Sequence, residues 1–105
     1  MKLRATLAVV VAVLPLLAGC GGSDGTSSAP GAKVFASAGC GGCHTLEAAG
    51  SKGQVGPNLD ELKPPYDKIV TQVENGGGAM PPFKGQLSDD EIHNVAAFVF
   101  ISTHR

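Results

Sequence analysis

The most specific chemistry in this chain lies in five consecutive residues, Cys40-Gly41-Gly42-Cys43-His44. Two thiols at this spacing can form thioethers with the two vinyl groups on one edge of a porphyrin. The histidine that follows is then placed as an axial ligand to the iron. Other uses of the same thiols need other surroundings. A redox dithiol wants a strand–helix–strand context, and no strand alternation of useful length appears. Half a zinc site wants a second Cys/His pair at suitable spacing. The remaining histidines, His93 and His104, instead lie on or beyond one amphipathic segment. The context therefore supports one haem c, bonded through Cys40 and Cys43 and ligated by His44. Gly41 and Gly42 are expected to let the backbone pass close to the ring.

A sixth ligand can also be read from the residues. The chain has two methionines, and Met1 belongs to a leader segment. Met80 is then the only thioether of the mature protein. It sits in the Gly/Pro-rich run Gly76 to Pro82 rather than on an apolar helix face, where packing methionines lie. Flanking prolines stiffen such a loop and hold a soft ligand in place. His44 and Met80 are the expected axial pair; bis-histidine ligation would instead need His93, a surface or half-buried helix residue, or His104, at the frayed end, to replace Met80.

These residues need elements to position them, and the chain is long enough for one domain. Its 105 residues carry a net charge of −1 and are 43% hydrophobic, but the composition is uneven. Lys2 and Arg4 precede an apolar run from Ala5 to Leu17 that contains Pro15. A transmembrane helix needs about 20 apolar residues; this shorter run reads as a secretory signal, residues 1–19. Leu17-Ala18-Gly19-Cys20 resembles the lipobox of bacterial lipoproteins, which implies cleavage before Cys20 and a lipid on its sulfur. The cysteines are then all used: Cys20 by lipid, Cys40 and Cys43 by haem. Residues 20–30 have no large apolar side chain and read as a Gly/Ser tether. Eleven such residues reach about 17–20 Å.

Three helices are expected in the remainder, residues 31–105. Ala32 to Ala38 is short and stops at Gly39. Pro65 to Asn75 places Tyr66, Ile69, Val70 and Val73 on one face. The third helix starts at a capping box, Ser88 with Glu91. Its acidic first turn suits the helix dipole, and Ile92, Val95, Ala96 and Val99 form its stripe. The fold class is all-α. A domain this small has a thin core and benefits from a covalent staple. No basic stripe for nucleic acid is present.

In order, four segments resemble those of a class I cytochrome c, nearest the small bacterial and photosynthetic carriers: Gly31 to His44, Gly56-Pro57-Asn58-Leu59, Ala79-Met80-Pro81-Pro82-Phe83, and Leu87 to Ser102. The resemblance implies short helices wrapped around one haem, with the first and last crossing at Phe35 and Phe98. It implies that the Pro57 carbonyl accepts a hydrogen bond from His44, that Leu59 packs on the haem, and that Met80 ligates iron. It also implies a non-enzymatic role: single electrons carried between membrane-associated partners outside the cytoplasm, such as an oxidase or reductase complex. The chain would be held by its lipid at the outer face of the cytoplasmic membrane or in the periplasm. Two other readings keep the haem. An open sixth site would make the chain a peroxidase or gas sensor, for which no distal acid–base pair is evident. Alternatively, it is a tethered subunit of a larger oxidase or reductase.

Overall fold

A computed structural model describes residues 28–105. The expected signal, lipidated Cys20 and most of the tether lie outside them. Within them the chain is mostly helical: α1 (Ser28–Ser37), α2 (Leu59–Leu62), α3 (Tyr66–Asn75) and α4 (Asp89–Thr103). A minimal antiparallel pair, β1 (Thr45–Leu46) and β2 (Ser51–Lys52), closes the loop after the Cys-His motif. The fold is all-α, and two two-residue strands do not alter that. None of the described helices is long and apolar enough to cross a membrane.

The crossing of α1 over α4 is the centre of the core. Gly31 makes it possible: a Cβ there would fall on the Asn94 carbonyl oxygen and 2.5 Å from Phe98 Cβ. With that contact open, Phe35 and Phe98 meet edge to face at 5.7 Å, as expected. Both rings are buried, with Val34, Leu46, Ile92, Val95, Ala96 and Val99 around them. Burying each ring is worth about 1.5–3 kcal/mol. Through Ile69 and Val73, α3 adds to the same core.

Helix α4 starts where its capping box says. Ser88 Oγ accepts from the Glu91 N–H at 3.1 Å, and Glu91 Oε1 accepts from the Ser88 N–H at 3.0 Å. At its far end the Thr103 hydroxyl, otherwise a buried polar group, donates to the Val99 carbonyl at 2.8 Å. His104 follows as the cap, its ring stacked on Phe100 at 4.2 Å. His93 is exposed and edges against Tyr66.

Two elements, α1 and α2, depart from the sequence reading by more than a residue. Helix α1 begins at Ser28, inside the stretch assigned to the tether. Pro30 falls in its first turn, where a missing N–H costs nothing because that N–H has no helical acceptor. Helix α2 was not expected. Asn58 caps it, its Oδ1 accepting from the Asp60 and Glu61 N–H groups at 3.0 and 3.3 Å.

Candidate functional site

Because α1 ends at Ser37, Gly39 can turn the chain with φ 77°. Cys40–Gly42 then winds as one 3-10 turn, with the Cys43 and His44 N–H groups both donating to the Cys40 carbonyl. This winding puts Cys40, Cys43 and His44 on the wall of one cavity of about 590 Å³. Neither Gly41 nor Gly42 lines it. Gly41 has a further reason to be small: β2 runs behind it, and a Cβ there would meet Ser51 Cβ at 2.7 Å.

The His44 ring is held from one side. Its Nδ1–H donates to the Pro57 carbonyl at 2.8 Å, which leaves the Nε2 lone pair for a metal. The Gly56 N–H donates to the Cys43 carbonyl at 2.7 Å, fastening the Pro57 loop to the motif. A Cβ on Gly56 would stand 2.6 Å from His44 Cε1, so only glycine lets the loop come this close. Ser51 Oγ donates to the His44 carbonyl at 2.9 Å and accepts from the Leu46 N–H at 3.1 Å. Leu59, launched by Asn58, is buried and lines the cavity.

Met80 lines the same cavity from the loop after α3. Gly77 and Met80 exchange backbone hydrogen bonds at 3.0 Å, closing a tight turn. The Phe83 N–H donates to the Val73 carbonyl at 2.9 Å and the Lys84 N–H to the Glu74 carbonyl at 3.2 Å. The loop thus satisfies carbonyls that the end of α3 leaves free. Gln72 Nε2 donates to Met80 Sδ at 3.8 Å. Sequence reasoning missed Gln72; its place one turn before the end of α3, eight residues ahead of Met80, was the available signal.

Phe35, Ile69, Val73, Phe83, Val95 and Val99 supply the cavity's apolar walls. Its volume suits a bound cofactor. Burial pushes the Cys40 thiol above its ordinary value; a backbone hydrogen bond opposes this, and the neighbouring Cys43 adds to it. Neither cysteine is paired in a disulfide. Among the described residues no three His, Cys, Asp or Glu side chains converge on a metal-sized site, which argues against zinc. Two thiols on one edge, an imidazole with Nε2 free and a thioether on an apolar wall fit a flat, apolar, iron-bearing ring.

Helices wrapped on a cavity with two thiols and an imidazole at its lip define a protein built around a covalently attached haem. The chain belongs to the c-type cytochromes, as a small class I member. Residues 27–99 match the family described as cytochrome c oxidase, cbb3-type, subunit III. Cytochrome c6 of Leptolyngbya boryana is 43% identical over 76 residues, covering 69% of this chain and 88% of its own. Chloroplastic cytochrome c6 of Chlamydomonas reinhardtii is 34% identical over 108 residues, 93% of this chain and 69% of its own. Among solved structures, the c-type cytochrome SorU from Sinorhizobium meliloti superposes with a TM-score of 0.70 at 41% identity, covering 75% of this chain and 93% of that one. The protein carries one covalently bound haem c and is a monohaem electron carrier.

Proposed function

We propose that this cytochrome carries single electrons between membrane-associated partners outside the cytoplasm, with Cys40 and Cys43 as haem thioethers and His44 and Met80 as axial ligands. Haem c supplies a one-electron iron couple. The observation that carries the reading is the pair of ligand groups on one cavity, His44 oriented by Pro57 and Met80 held on the end of α3. With His44 and Met80 both bound to the iron, no position would be open to a substrate, which favours a carrier over a peroxidase or gas sensor. Leu59 and the apolar walls keep water from the ring. A brief electron-transfer encounter needs under about 1,200 Å² of interface.

Residues 1–19 are read as the signal peptide and Cys20 as the lipidated first residue of the mature chain, at the outer face of the cytoplasmic membrane or in the periplasm. Two or more acyl chains on Cys20 would suffice for a stable anchor.

The test is the visible spectrum of the exported protein, oxidised and reduced, beside Met80→Ala. A weak far-red sulfur-to-iron band, present in the wild type and lost in the variant, supports the carrier. Absence of that band from the wild type, with ready uptake of carbon monoxide by the reduced form, would transfer the protein to the catalytic or sensory class. The matching family's description favours one second reading, a tethered oxidase subunit. Co-purification with a terminal oxidase in mild detergent separates the two.

A further inference from the structure

Haem is an amphiphile. Its ring is apolar, but its two propionates are carboxylates, and carboxylates facing protein need hydrogen bonds or a cation. The crevice offers little for this. Its ionisable lining side chains are Cys40, Cys43, His44 and Lys68, and none is acidic. The cysteines are taken by thioethers, and the His44 Nδ1–H is committed to Pro57. The one lining amide, Gln72, donates to Met80 Sδ. Lys68 is left as the single unassigned cation.

Its position suits the role. Lys68 lies on the exposed side of α3, one turn before Gln72, next to Pro64 and Pro65 at the crevice wall. Its helical neighbours at three and four residues are Pro64, Pro65, Thr71 and Gln72, so no carboxylate of its own helix competes for the ammonium. Lys63 stands nearby on the turn between α2 and α3 but does not line the crevice. A lysine stem can lie along apolar wall while its head reaches a polar group at the opening.

We propose that Lys68 is the propionate partner of this cytochrome, its ammonium making a charge-assisted hydrogen bond to a haem propionate and raising the reduction potential. The proposal rests on the haem occupying this crevice. A cation beside the ring favours ferrous over ferric iron, because the ferrous form carries one less positive charge. Lys68 acts through the propionate and is a positioning and tuning residue.

Redox titration of the holoprotein tests it with Lys68→Gln, Lys68→Arg and, as a control outside the crevice, Lys84→Gln. Lys68→Gln lowers the potential; the other two leave it at the wild-type value. In a second arm the wild-type holoprotein is acylated briefly, and the five mature-chain lysines are followed by mass spectrometry. Lys68 reacts more slowly than Lys84. A Lys68→Gln potential equal to wild type, or a Lys68 as reactive as Lys84, overturns the proposal. The sulfur-to-iron band, recorded on every variant, keeps this result apart from the ligation reading. If Lys68→Gln loses the band, the acylation arm decides alone.

Discussion

At the scale of single residues, this site works by close approach. Gly56 carries no side chain because the His44 ring fills that space. Gly56→Ala forces ring or loop to move and should cost about 1–3 kcal/mol of stability, as overpacking does; thermal melts of the holoprotein read it. Gln72 does a different job. Its amide donates to Met80 Sδ at 3.8 Å; with Met80 as the proposed ligand, that bond would withdraw electron density and make the sulfur a poorer donor to ferric iron. Gln72→Leu removes the bond and should lower the reduction potential while keeping the sulfur-to-iron band. An unchanged potential would mean that the amide has no electronic role. The sequence displayed Cys40, Cys43, His44 and Met80 because their types are rare and their spacing is chemical. It hid Gln72 and Lys68 because polar residues on an amphipathic helix look like solvent-facing ones until the position of the cavity mouth is known.

Among the elements, legibility followed the strength of local signals. Helix α4 was readable to within a residue because Ser88 and Glu91 form a reciprocal cap and the apolar stripe runs for three turns. Ser88→Ala should cost about 0.5–2 kcal/mol, measurable as a lower denaturation midpoint with ligation intact. The start of α1 was misplaced because Ser, Ala, Pro and Gly there signal a linker by composition; packing of Gly31 against α4 overrides that weak propensity. Helix α2 is four residues long, too short for periodicity to register, although Asn58 is a good cap residue. Phe98→Ala, at the α1–α4 crossing, should cost about 3–5 kcal/mol. A smaller loss would mean that the haem, rather than the crossing, carries the fold.

For the molecule as a whole, the exposed apolar residues are informative. Val55 is 68% exposed and Leu62 is 56% exposed, and both line the cavity where it opens. With no acidic lining residue and one lysine, that opening should meet partners mainly through apolar contact. Electron-transfer rates with a redox partner should therefore respond less to added salt than rates governed by charge steering. The proposed anchor is tested separately. Mass spectrometry of the membrane fraction should find a mature protein that starts at an acylated Cys20, and Cys20→Ala should lose the acyl mass. A wild-type chain without acyl groups would reject the anchor and leave the electron-carrier assignment intact.

The Met80 loop is laced to the end of α3 by backbone hydrogen bonds, and the His44 ring is clasped by Pro57 from thirteen residues away. Electrons jump far faster than atoms move. A redox centre that must rearrange its bonds on each turnover waits for a costly thermal fluctuation. Here the two segments that carry the proposed ligands are set by contacts that do not involve the iron, so they have little reason to shift when its charge changes by one. The lacing therefore favours rapid self-exchange and nearly superimposable oxidised and reduced forms.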